Sequence, residues 1–258
     1  MILLQNFIIT SIEIYDGEEL ASASFFEEQK LYGMKFKALV EAHTEKEDIL
    51  NVFEIGCGAG GILYPFYKEG KKVSGCDFGE KYLKFGLSKG LDIYKGEISL
   101  LKTPKKSQDL IILSHVLEHI NEPLKFINEI AEYINDEKYL LIEVPGIFDI
   151  KKSYFNPLLY FQNAHTFNYY EYYLNVFFNS LGFKVIYGDE RCTFLLQKPK
   201  NWNPKKIISI SNQNTAIWAN KIETELKRLQ LLHLLRLNPY YLRNTIGNIL
   251  EKLGLKKI

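Results

Sequence analysis

Through the middle of the chain, short apolar runs alternate with stretches whose apolar residues recur at helical spacing. A short apolar run bounded by turn residues predicts a buried strand, and an apolar period of three to four residues predicts an amphipathic helix. Because the two alternate, we expect right-handed βαβ crossovers and a largely parallel, doubly wound sheet. The predicted strands are Val52–Ile55, Lys72–Cys76, Asp92–Lys95, Leu110–Ser114, Tyr139–Val144, Lys184–Tyr187 and Thr193–Gln197. The predicted helices are Gly60–Glu69, Glu80–Lys89, Pro123–Ile134 and Tyr169–Leu181.

The last two predicted strands are connected differently from the others. Only Asp189–Cys192 and its neighbours separate them. This connection is too short for a crossover helix, so the two strands should form an antiparallel hairpin. We therefore predict an α/β, Rossmann-like sheet of seven strands, mostly parallel, with an antiparallel hairpin at one edge and helices on both faces.

The two ends of the chain lack this alternation, which predicts three parts. Residues 1–48 form an amino-terminal cap segment, residues 49–200 form the α/β domain, and residues 201–258 form a helical appendage. Within the two ends, a strand pattern covers Phe7–Tyr15 and helical patterns cover Phe25–Ala42, Ala216–Leu237 and Leu242–Leu253.

Composition indicates a globular chain with no general affinity for nucleic acid. Of its 258 residues, 47% are hydrophobic and 24% are charged, and the net charge is only +1. Residues 204–258 nevertheless hold ten Lys and Arg against three Glu, a local charge of +7 that leaves −6 for the rest. Such a stretch is most often a solvated helix face. The alternatives are packing on a second subunit, as in a homodimer, or peripheral contact with a membrane surface.

The cysteines and the apolar runs bear on location. Cys57, Cys76 and Cys192 are an odd number without a C-x-x-C pair, which argues against a disulfide framework or a zinc site and favours a cytoplasmic protein. Met1–Leu4 is apolar but lacks the basic residues of a signal peptide. No run approaches the roughly 18 apolar residues needed to cross a bilayer, so we expect no transmembrane segment.

The most informative stretch is an apolar strand with one acid that runs directly into a glycine-rich turn. Glycine tolerates positive φ and lets a ligand approach the backbone, while the N–H groups that open the next helix attract negative charge. Gly56, Gly58 and Gly61 fit G-x-G-x-x-G, the dinucleotide pattern. Glu54 and Gly60 extend the same residues to E-x-G-x-G-x-G. The two patterns point to different cofactors.

The second pattern resembles the first motif of class I S-adenosylmethionine (SAM)-dependent methyltransferases. The resemblance implies that Glu54 supports the methionine end of SAM. Asp77 ends the second predicted strand, where a carboxylate can accept both ribose hydroxyls, although an isolated Asp there also suits a helix cap. Phe78 would then lie against the ribose or adenine. Glu97 and Ile98 take, by position, the roles of the acid that holds the adenine amino group and the apolar residue that covers the ring, although the family more often has Asp first.

A second segment carries the resemblance further. Asp109–Pro123 resembles the D-L-I-x-x-x-x-V-L-E-H-h-x-x-P stretch of small-molecule methyltransferases like those of ubiquinone biosynthesis. This resemblance places Ser114 and His115 toward the methionine portion of SAM, at the carboxyl end of a strand, where open α/β sheets bind ligands. It covers about residues 50–198 and neither end of the chain.

Two histidines are the candidate catalytic residues. The resemblance places His119 at the mouth of the pocket and brings His165, from an H-x-F segment, over the site. Methyl transfer to a hydroxyl needs an aligned nucleophile and removal of its proton, and histidine, with an unperturbed pKa of about 6.5, suits the second task. We therefore expect a methyl group to pass from SAM to a small molecule, such as a hydroxyl of a sugar or envelope-precursor metabolite, leaving S-adenosylhomocysteine (SAH).

Three alternatives stay open at the level of the sequence. An NAD-dependent oxidoreductase would share the glycine turn, but the V-L-E-H segment and the terminal hairpin favour a methyltransferase. A non-catalytic scaffold would use the basic tail to engage a partner. Four residues also resemble the metal site of small-RNA 2′-O-methyltransferases, although that family has Glu at the first position and we expect no metal. They are His115, Glu118, His119 and His165.

Overall fold

The computed structural model of the chain describes residues 23–97, 104–150, 160–161, 165–204, 215–235 and 237. The strand predicted over Phe7–Tyr15, the helix predicted over Leu242–Leu253 and the candidate adenine contact Ile98 lie outside the described residues.

One sheet of seven strands organises the described chain. Its strands are β1 (Asn51–Ile55), β2 (Lys72–Asp77), β3 (Asp92–Lys95), β4 (Gln108–Ser114), β5 (Ile134–Glu143), β6 (Lys184–Gly188) and β7 (Thr193–Gln197). They lie in the order β3-β2-β1-β4-β5-β7-β6. The first five strands pair in parallel, whereas β7 is antiparallel to both β5 and β6. The predicted Rossmann-like sheet with an antiparallel edge hairpin is therefore confirmed.

Helices cover both faces of this sheet. They are α1 (Ala23–His43), α2 (Tyr64–Lys68), α3 (Glu80–Ser88), α4 (Pro123–Ala131), α5 (Glu171–Leu181) and α6 (Thr215–Leu234). Successive side chains of a strand point to opposite faces, so β4 contributes to two cores. Ile111 and Leu113 pack in one core with α4 and α5. Leu110 and Ile112 pack in the other with α1, α2 and α3.

Several predicted boundaries were wrong for identifiable reasons. The helix predicted over Gly60–Glu69 is only the five residues of α2, because Gly60 has a φ of +77° that right-handed helix does not allow. The helix predicted to reach Ile134 ends at Ala131, because Ile134 instead pairs with Gln108 as the start of β5. The other described elements differ from prediction by a few residues at most.

The amino-terminal edge of the central strands is tightly hydrogen bonded. Asp109 is only 6% exposed, and its carboxylate accepts hydrogen bonds from the backbone N–H groups of Leu50 and Asn51 and from the side-chain amides of Asn51 and Asn135. The hydrogen bonds outweigh the burial that would raise the pKa of Asp109, and they lower it. Asp109 therefore fixes β1, β4 and β5 relative to one another.

The appendage packs on the α/β domain through one side of α6. Leu229 is buried there with Ile147, Ile150 and Tyr160. No helix in the described part of the chain is both long and apolar enough to cross a membrane.

Candidate functional site

The glycine turn leaves β1 at the carboxyl edge of the sheet, where the backbone itself forms a cradle. Gly56, Gly58 and Gly60 have φ values of +74°, +54° and +77°, a region that side chains disfavour. A Cβ atom on these residues would also lie 2.6, 2.7 and 2.6 Å from the side chains of Val116, Gln29 and Leu91. Glycine is therefore strongly favoured at all three positions.

Asp77 closes the other side of this cradle. It lies at the end of β2, and its carboxylate accepts hydrogen bonds of 2.8 Å from the backbone N–H groups of both Gly58 and Gly79. Burial raises the pKa of Asp77 despite these bonds, which act in the opposite direction. The carboxylate retains acceptor capacity for two hydroxyl groups, since each oxygen has a second lone pair.

Glu54 lies beneath the same turn as a buried and unpaired acid. Its side chain is fully buried, and neither carboxylate oxygen accepts a hydrogen bond from the described residues. Burial, and secondly the charge of Asp77, raise the pKa of Glu54 well above its usual range. An unpaired buried carboxylate costs free energy unless a partner arrives, so Glu54 fits a ligand that brings a positive group or a donor to this position.

Gln29 of α1 is a residue of this cradle that the sequence did not reveal. Its amide nitrogen donates to the Cys57 carbonyl at 3.2 Å, and its amide oxygen accepts from the N–H groups of Ala59 and Gly61 at 3.2 and 3.3 Å. One side chain thus satisfies three backbone groups of the turn. No local motif marks Gln29, because it lies 28 residues before Cys57.

The other predicted cofactor contacts lie along the same edge. Phe78 is half-buried directly after Asp77. Glu97 is half-buried after β3, next to Gly96, whose N–H donates to the Asp77 carbonyl at 3.0 Å. Ser114 ends β4 opposite Glu143 of β5. The fold thus brings these three residues to the carboxyl ends of the parallel strands, where a doubly wound sheet binds its ligands.

His115 occupies the tip of β4 in an unusual conformation. Its φ is +55°, and its N–H donates to the Glu143 carbonyl at 2.9 Å. The ring, which is 46% exposed, lies with Nδ1 3.3 Å from Glu118 and Nε2 3.6 Å from Glu143. Burial would lower the pKa of His115, but the two carboxylates outweigh it and raise the pKa to about 10. His115 is therefore cationic near neutral pH.

Glu143 links this cation to the edge hairpin. Thr193 donates a hydrogen bond to its carboxylate at 2.8 Å, and Nε of Arg191 lies 3.5 Å away. Burial alone would raise the pKa of Glu143, but His115 and Arg191 outweigh that effect and lower it. Arg191 did not stand out in the sequence as a site residue, because its contact with Glu143 joins parts of the chain that are 48 residues apart.

His119 and His165 form a second group at the same edge. Their ring centroids are 5.0 Å apart at an interplanar angle of 68°. The segment that carries His165 is held by the Glu118 carbonyl, which accepts from the N–H groups of Thr166 and Phe167 at 2.8 and 3.2 Å. Burial, and also the charges of His119 and His115, lower the pKa of His165 although Glu118 opposes them. His165 is therefore a neutral imidazole at physiological pH.

Glu118 gives this group a buried acid. Its side chain is 1% exposed, and neither carboxylate oxygen accepts a hydrogen bond among the described residues. One potential ligand atom each from Glu118, His119 and His165 lies within 4.8 Å of the others. Carboxylate and imidazole ligands suit several divalent cations, so the three residues could hold one. His115, the fourth residue of the predicted set, does not join this group and instead lies between Glu118 and Glu143.

The site therefore has two halves at one edge of the sheet. The first is the glycine cradle with Glu54, Asp77 and Gln29, which offers backbone N–H groups and acids to a nucleoside. The second is the group of Glu118, His119 and His165 at the tip of β4 and beyond β5, which offers a neutral imidazole and a buried carboxylate to a reacting group. We call these two halves the cofactor half and the acceptor half.

Comparisons with known proteins identify the family of the chain. A family profile described as "Methyltransferase domain" matches residues 26–187, more than half of the chain. A SAM-dependent methyltransferase from Archaeoglobus fulgidus is 22% identical, with 76% of this chain and 87% of that chain covered and a TM-score of 0.50. No curated protein matches the chain.

Two further solved structures resemble the chain more weakly. A SAM-dependent methyltransferase from Aquifex aeolicus is 21% identical over 62% of this chain and 87% of that one, with a TM-score of 0.45. Magnesium protoporphyrin IX methyltransferase from Synechocystis PCC 6803, solved with bound SAH, is 18% identical over 65% and 81%, with a TM-score of 0.49. The closer similarity to ubiquinone-biosynthesis enzymes stays a prediction.

The family match decides between the two patterns of the glycine turn. The profile begins in α1 and ends in β6, so it contains the whole of both halves of the site. The chain belongs to the methyltransferase-domain family: it is a class I SAM-dependent methyltransferase, with SAM as its methyl donor.

Proposed function

We propose that the chain methylates a hydroxyl group of a small molecule, with His165 as the base and His119 orienting the acceptor. SAM supplies an electrophilic methyl group on a sulfonium centre, so the protein must align the acceptor and take its proton. The observation that carries the proposal is the half-buried His165 ring beside His119 and Glu118. A neutral imidazole can accept a proton, and the Glu118 carboxylate would stabilise the resulting charge.

The cofactor half has the groups that SAM needs. We propose that Asp77 accepts the ribose hydroxyls, that Glu54 supports the ammonium end of the methionine portion, and that Phe78 and Glu97 lie at the nucleoside. The unpaired Glu54 carboxylate and a turn in which any Cβ would clash both support this assignment. His115, a cation beside the strand tips, suits the methionine carboxylate.

The chemistry of the acceptor half favours a polar acceptor of low negative charge. Two oxygens of Glu118 and one of Glu143 are buried without a hydrogen-bond donor among the described residues. Hydroxyl groups can donate to such oxygens, whereas ionised phosphates and carboxylates have no hydrogen to donate. A sugar hydroxyl or a hydroxyl of an envelope-precursor metabolite fits this requirement.

The test combines an acceptor screen with histidine variants. A panel of hydroxylated metabolites is assayed by SAH release, and His165→Gln is compared with His43→Gln, an exposed histidine of α1. We expect His165→Gln to lower turnover about 100-fold or more while SAH affinity stays within about twofold. His43→Gln should change neither. Full turnover by a double His119→Ala, His165→Ala variant would refute the proposed base.

A second candidate mechanism uses a divalent cation. Glu118, His119 and His165 would hold the cation, which would polarise the acceptor hydroxyl and ease the loss of its proton. Metal analysis of the purified protein, and turnover with and without a chelator, distinguish the two. Activity that survives chelation favours the histidine base, and activity that is lost and then restored by a metal favours the cation.

Three broader predictions accompany the proposal. The division into residues 1–48, 49–200 and 201–258 stays a prediction, although the family profile begins within the first part. The homodimer and the peripheral membrane contact of the basic tail also stay predictions. We infer a cytoplasmic location from the odd number of cysteines, and fractionation of the producing cells would test it.

A further inference from the structure

Helix α6 lies outside the matched methyltransferase profile, yet it packs in a cluster with Tyr160, which contacts His165 of the acceptor half. The profile ends at residue 187, whereas α6 begins at Thr215. One side of α6 carries Ile222, Leu226 and the buried Leu229, at helical spacing. This side packs in one apolar cluster with the segment that follows β5 and with the buried Tyr160. The remaining members of that cluster are Ile147, Phe148, Ile150 and Tyr170.

The amino-terminal part of α6 is anchored by aromatic contacts. Trp218 stacks on Tyr172 with ring centroids 5.0 Å apart and an interplanar angle of 17°. It also lies 5.2 Å from Tyr170 and 6.0 Å from Phe148. The Lys221 ammonium lies 4.1 Å from the centre of the Trp218 ring, a distance at which a cation and an aromatic face attract. These contacts fix α6 on the start of α5 and on the segment after β5.

Tyr160 connects this cluster to the reacting groups. Its side chain is fully buried, and its hydroxyl donates to the Pro145 carbonyl at 3.2 Å. Its ring meets the His165 ring edge to face, with centroids 6.2 Å apart and an interplanar angle of 85°. The His165 ring also hydrogen-bonds to the Tyr160 backbone. The orientation of His165 therefore depends on where Tyr160 lies.

The chain of contacts runs without a gap from α6 to the histidine pair. Leu229 and Tyr160 belong to one apolar cluster, the Tyr160 ring lies edge to face on the His165 ring, and the His165 ring lies next to the His119 ring. Among the described residues, no member of the cofactor half belongs to this cluster. The side chains of Asp77 and Gln29 hydrogen-bond to the glycine turn instead, and Glu54 lies beneath that turn. A change in α6 should therefore affect the acceptor half and spare the cofactor half.

We propose that α6 helps to shape the acceptor half. Tyr160 is a positioning residue: the packing of Leu229 fixes the Tyr160 ring, and the Tyr160 ring orients His165. The inference rests on the proposed role of His165. The carboxyl-terminal extension then has a role in positioning a residue of this site, whatever the role of its basic residues. Through this packing, the extension determines which acceptor hydroxyls meet the His165 ring in a productive orientation.

The experiment uses two leucines of the same helix. Leu229→Ala removes a buried side chain, and Leu231→Ala removes one that is 55% exposed. Each variant is compared with the intact chain by SAH calorimetry and by ¹⁵N NMR of the imidazole rings. The chain has only five histidines, so His165→Gln assigns the His165 signals.

We expect Leu229→Ala to shift the His165 imidazole signals and to leave SAH affinity within about twofold. Leu231→Ala should leave both unchanged. The conservative Leu229→Met should largely restore the His165 signals, because it keeps most of the side-chain volume. With an identified acceptor, Leu229→Ala should lower turnover about tenfold or more.

Other outcomes would overturn the inference. Unshifted His165 signals in a folded, SAH-binding Leu229→Ala protein would do so, as would equal shifts in the Leu231→Ala control. If Leu229→Ala does not fold, Tyr160→Phe and the half-buried Leu226→Ala are used with the same readouts. The proposed function can fail independently of this inference. A fully active His165→Gln enzyme would refute His165 as the base, whereas shifted His165 signals in Leu229→Ala would still show that α6 influences the His165 ring.

Discussion

Acids are buried at both edges of the sheet, but the two edges differ in how many hydrogen bonds those acids accept. At the amino-terminal edge, Asp109 is buried and accepts four hydrogen bonds. Lys198 is also buried there, and its ammonium donates to the carbonyls of Ala131 and Ile134 and lies 3.3 Å from Asp136. At the carboxyl-terminal edge, Glu54 and Glu118 are at least as deeply buried, but their carboxylates accept no hydrogen bond from the described residues. Glu118, unlike Glu54, lies in an ion pair with the His115 ring at 3.3 Å.

This difference separates structural acids from functional ones. Most buried polar groups in folded proteins have a hydrogen-bond partner, because an unpaired group keeps its full cost of desolvation. Asp109 meets that requirement within the chain, so its carboxylate stabilises the fold. Glu54 does not meet it within the described chain, and Glu118 has only the nearby ring nitrogens of His115 and His119. We propose that a ligand supplies the missing hydrogen bonds and so recovers the free energy that burial of these acids costs. Departures from local consistency of this kind are expected at functional sites.

The largest predicted effect is on stability and concerns the amino-terminal edge, where the buried Asp109 accepts hydrogen bonds. Asp109→Ala would leave the N–H groups of Leu50 and Asn51 and the Asn135 amide without their shared acceptor. We expect the free energy of unfolding to fall by about 3 kcal/mol, the range seen when a buried hydrogen-bonded charge is removed. Denaturant unfolding measures this change. A loss below about 1 kcal/mol would show that Asp109 is not structural in the sense argued above.

The next effect concerns the carboxyl-terminal edge, where the buried Glu54 accepts no hydrogen bond from the described residues. Glu54→Gln keeps the shape but removes a charge whose burial is unfavourable, so the free energy of unfolding should rise by about 1 kcal/mol. SAH affinity should fall about tenfold, which corresponds to about 1.4 kcal/mol. Unfolding curves and calorimetry report the two quantities on the same sample. A Glu54→Gln protein that is both less stable and unchanged in affinity would contradict the comparison.

A smaller effect is expected at Gln29, which holds the glycine turn from α1. Gln29→Ala leaves the Ala59 and Gly61 N–H groups and the Cys57 carbonyl without this partner. Because the turn loses order before the ligand binds, SAH affinity should fall about fivefold, or about 1 kcal/mol. The neighbouring exposed Glu28→Ala is the matched control. Equal affinities for the two variants would exclude the role of Gln29.

The smallest effect is on the dependence of stability on pH. The folded-state pKa of Asp109 is lowered, so its contribution is present above its unfolded pKa and is lost as pH falls through the lowered value. The folded-state pKa of Glu54 is raised, so its ionised form costs stability as pH rises through that raised value. The stability gained by Glu54→Gln should therefore grow with pH, whereas that lost by Asp109→Ala should shrink in acid. Unfolding curves across pH would show the two opposite trends.

The sequence predicted the order of the elements well, because apolar runs and glycine turns are local signals. It also placed Asp77 at the end of the second strand, where the structure has its carboxylate 2.8 Å from the Gly58 N–H. The contribution of Gln29 could not be predicted, since packing of α1 on the turn joins residues far apart in the chain. For the same reason the sequence could not show that the His115 ring lies between Glu118 and Glu143 of the neighbouring strand.

The central claim is that SAM binds at the carboxyl-terminal edge of the sheet, across the glycine turn and Asp77. A calorimetric titration with SAH tests this claim most directly. The wild-type chain should bind one equivalent, and the isosteric Asp77→Asn should weaken binding about tenfold or more, because the ribose hydroxyls lose a charged acceptor. Asp109→Asn, at the opposite edge, should bind as the wild type does. Equal binding by Asp77→Asn, or a wild-type chain that binds NAD in preference to SAH, would contradict the account.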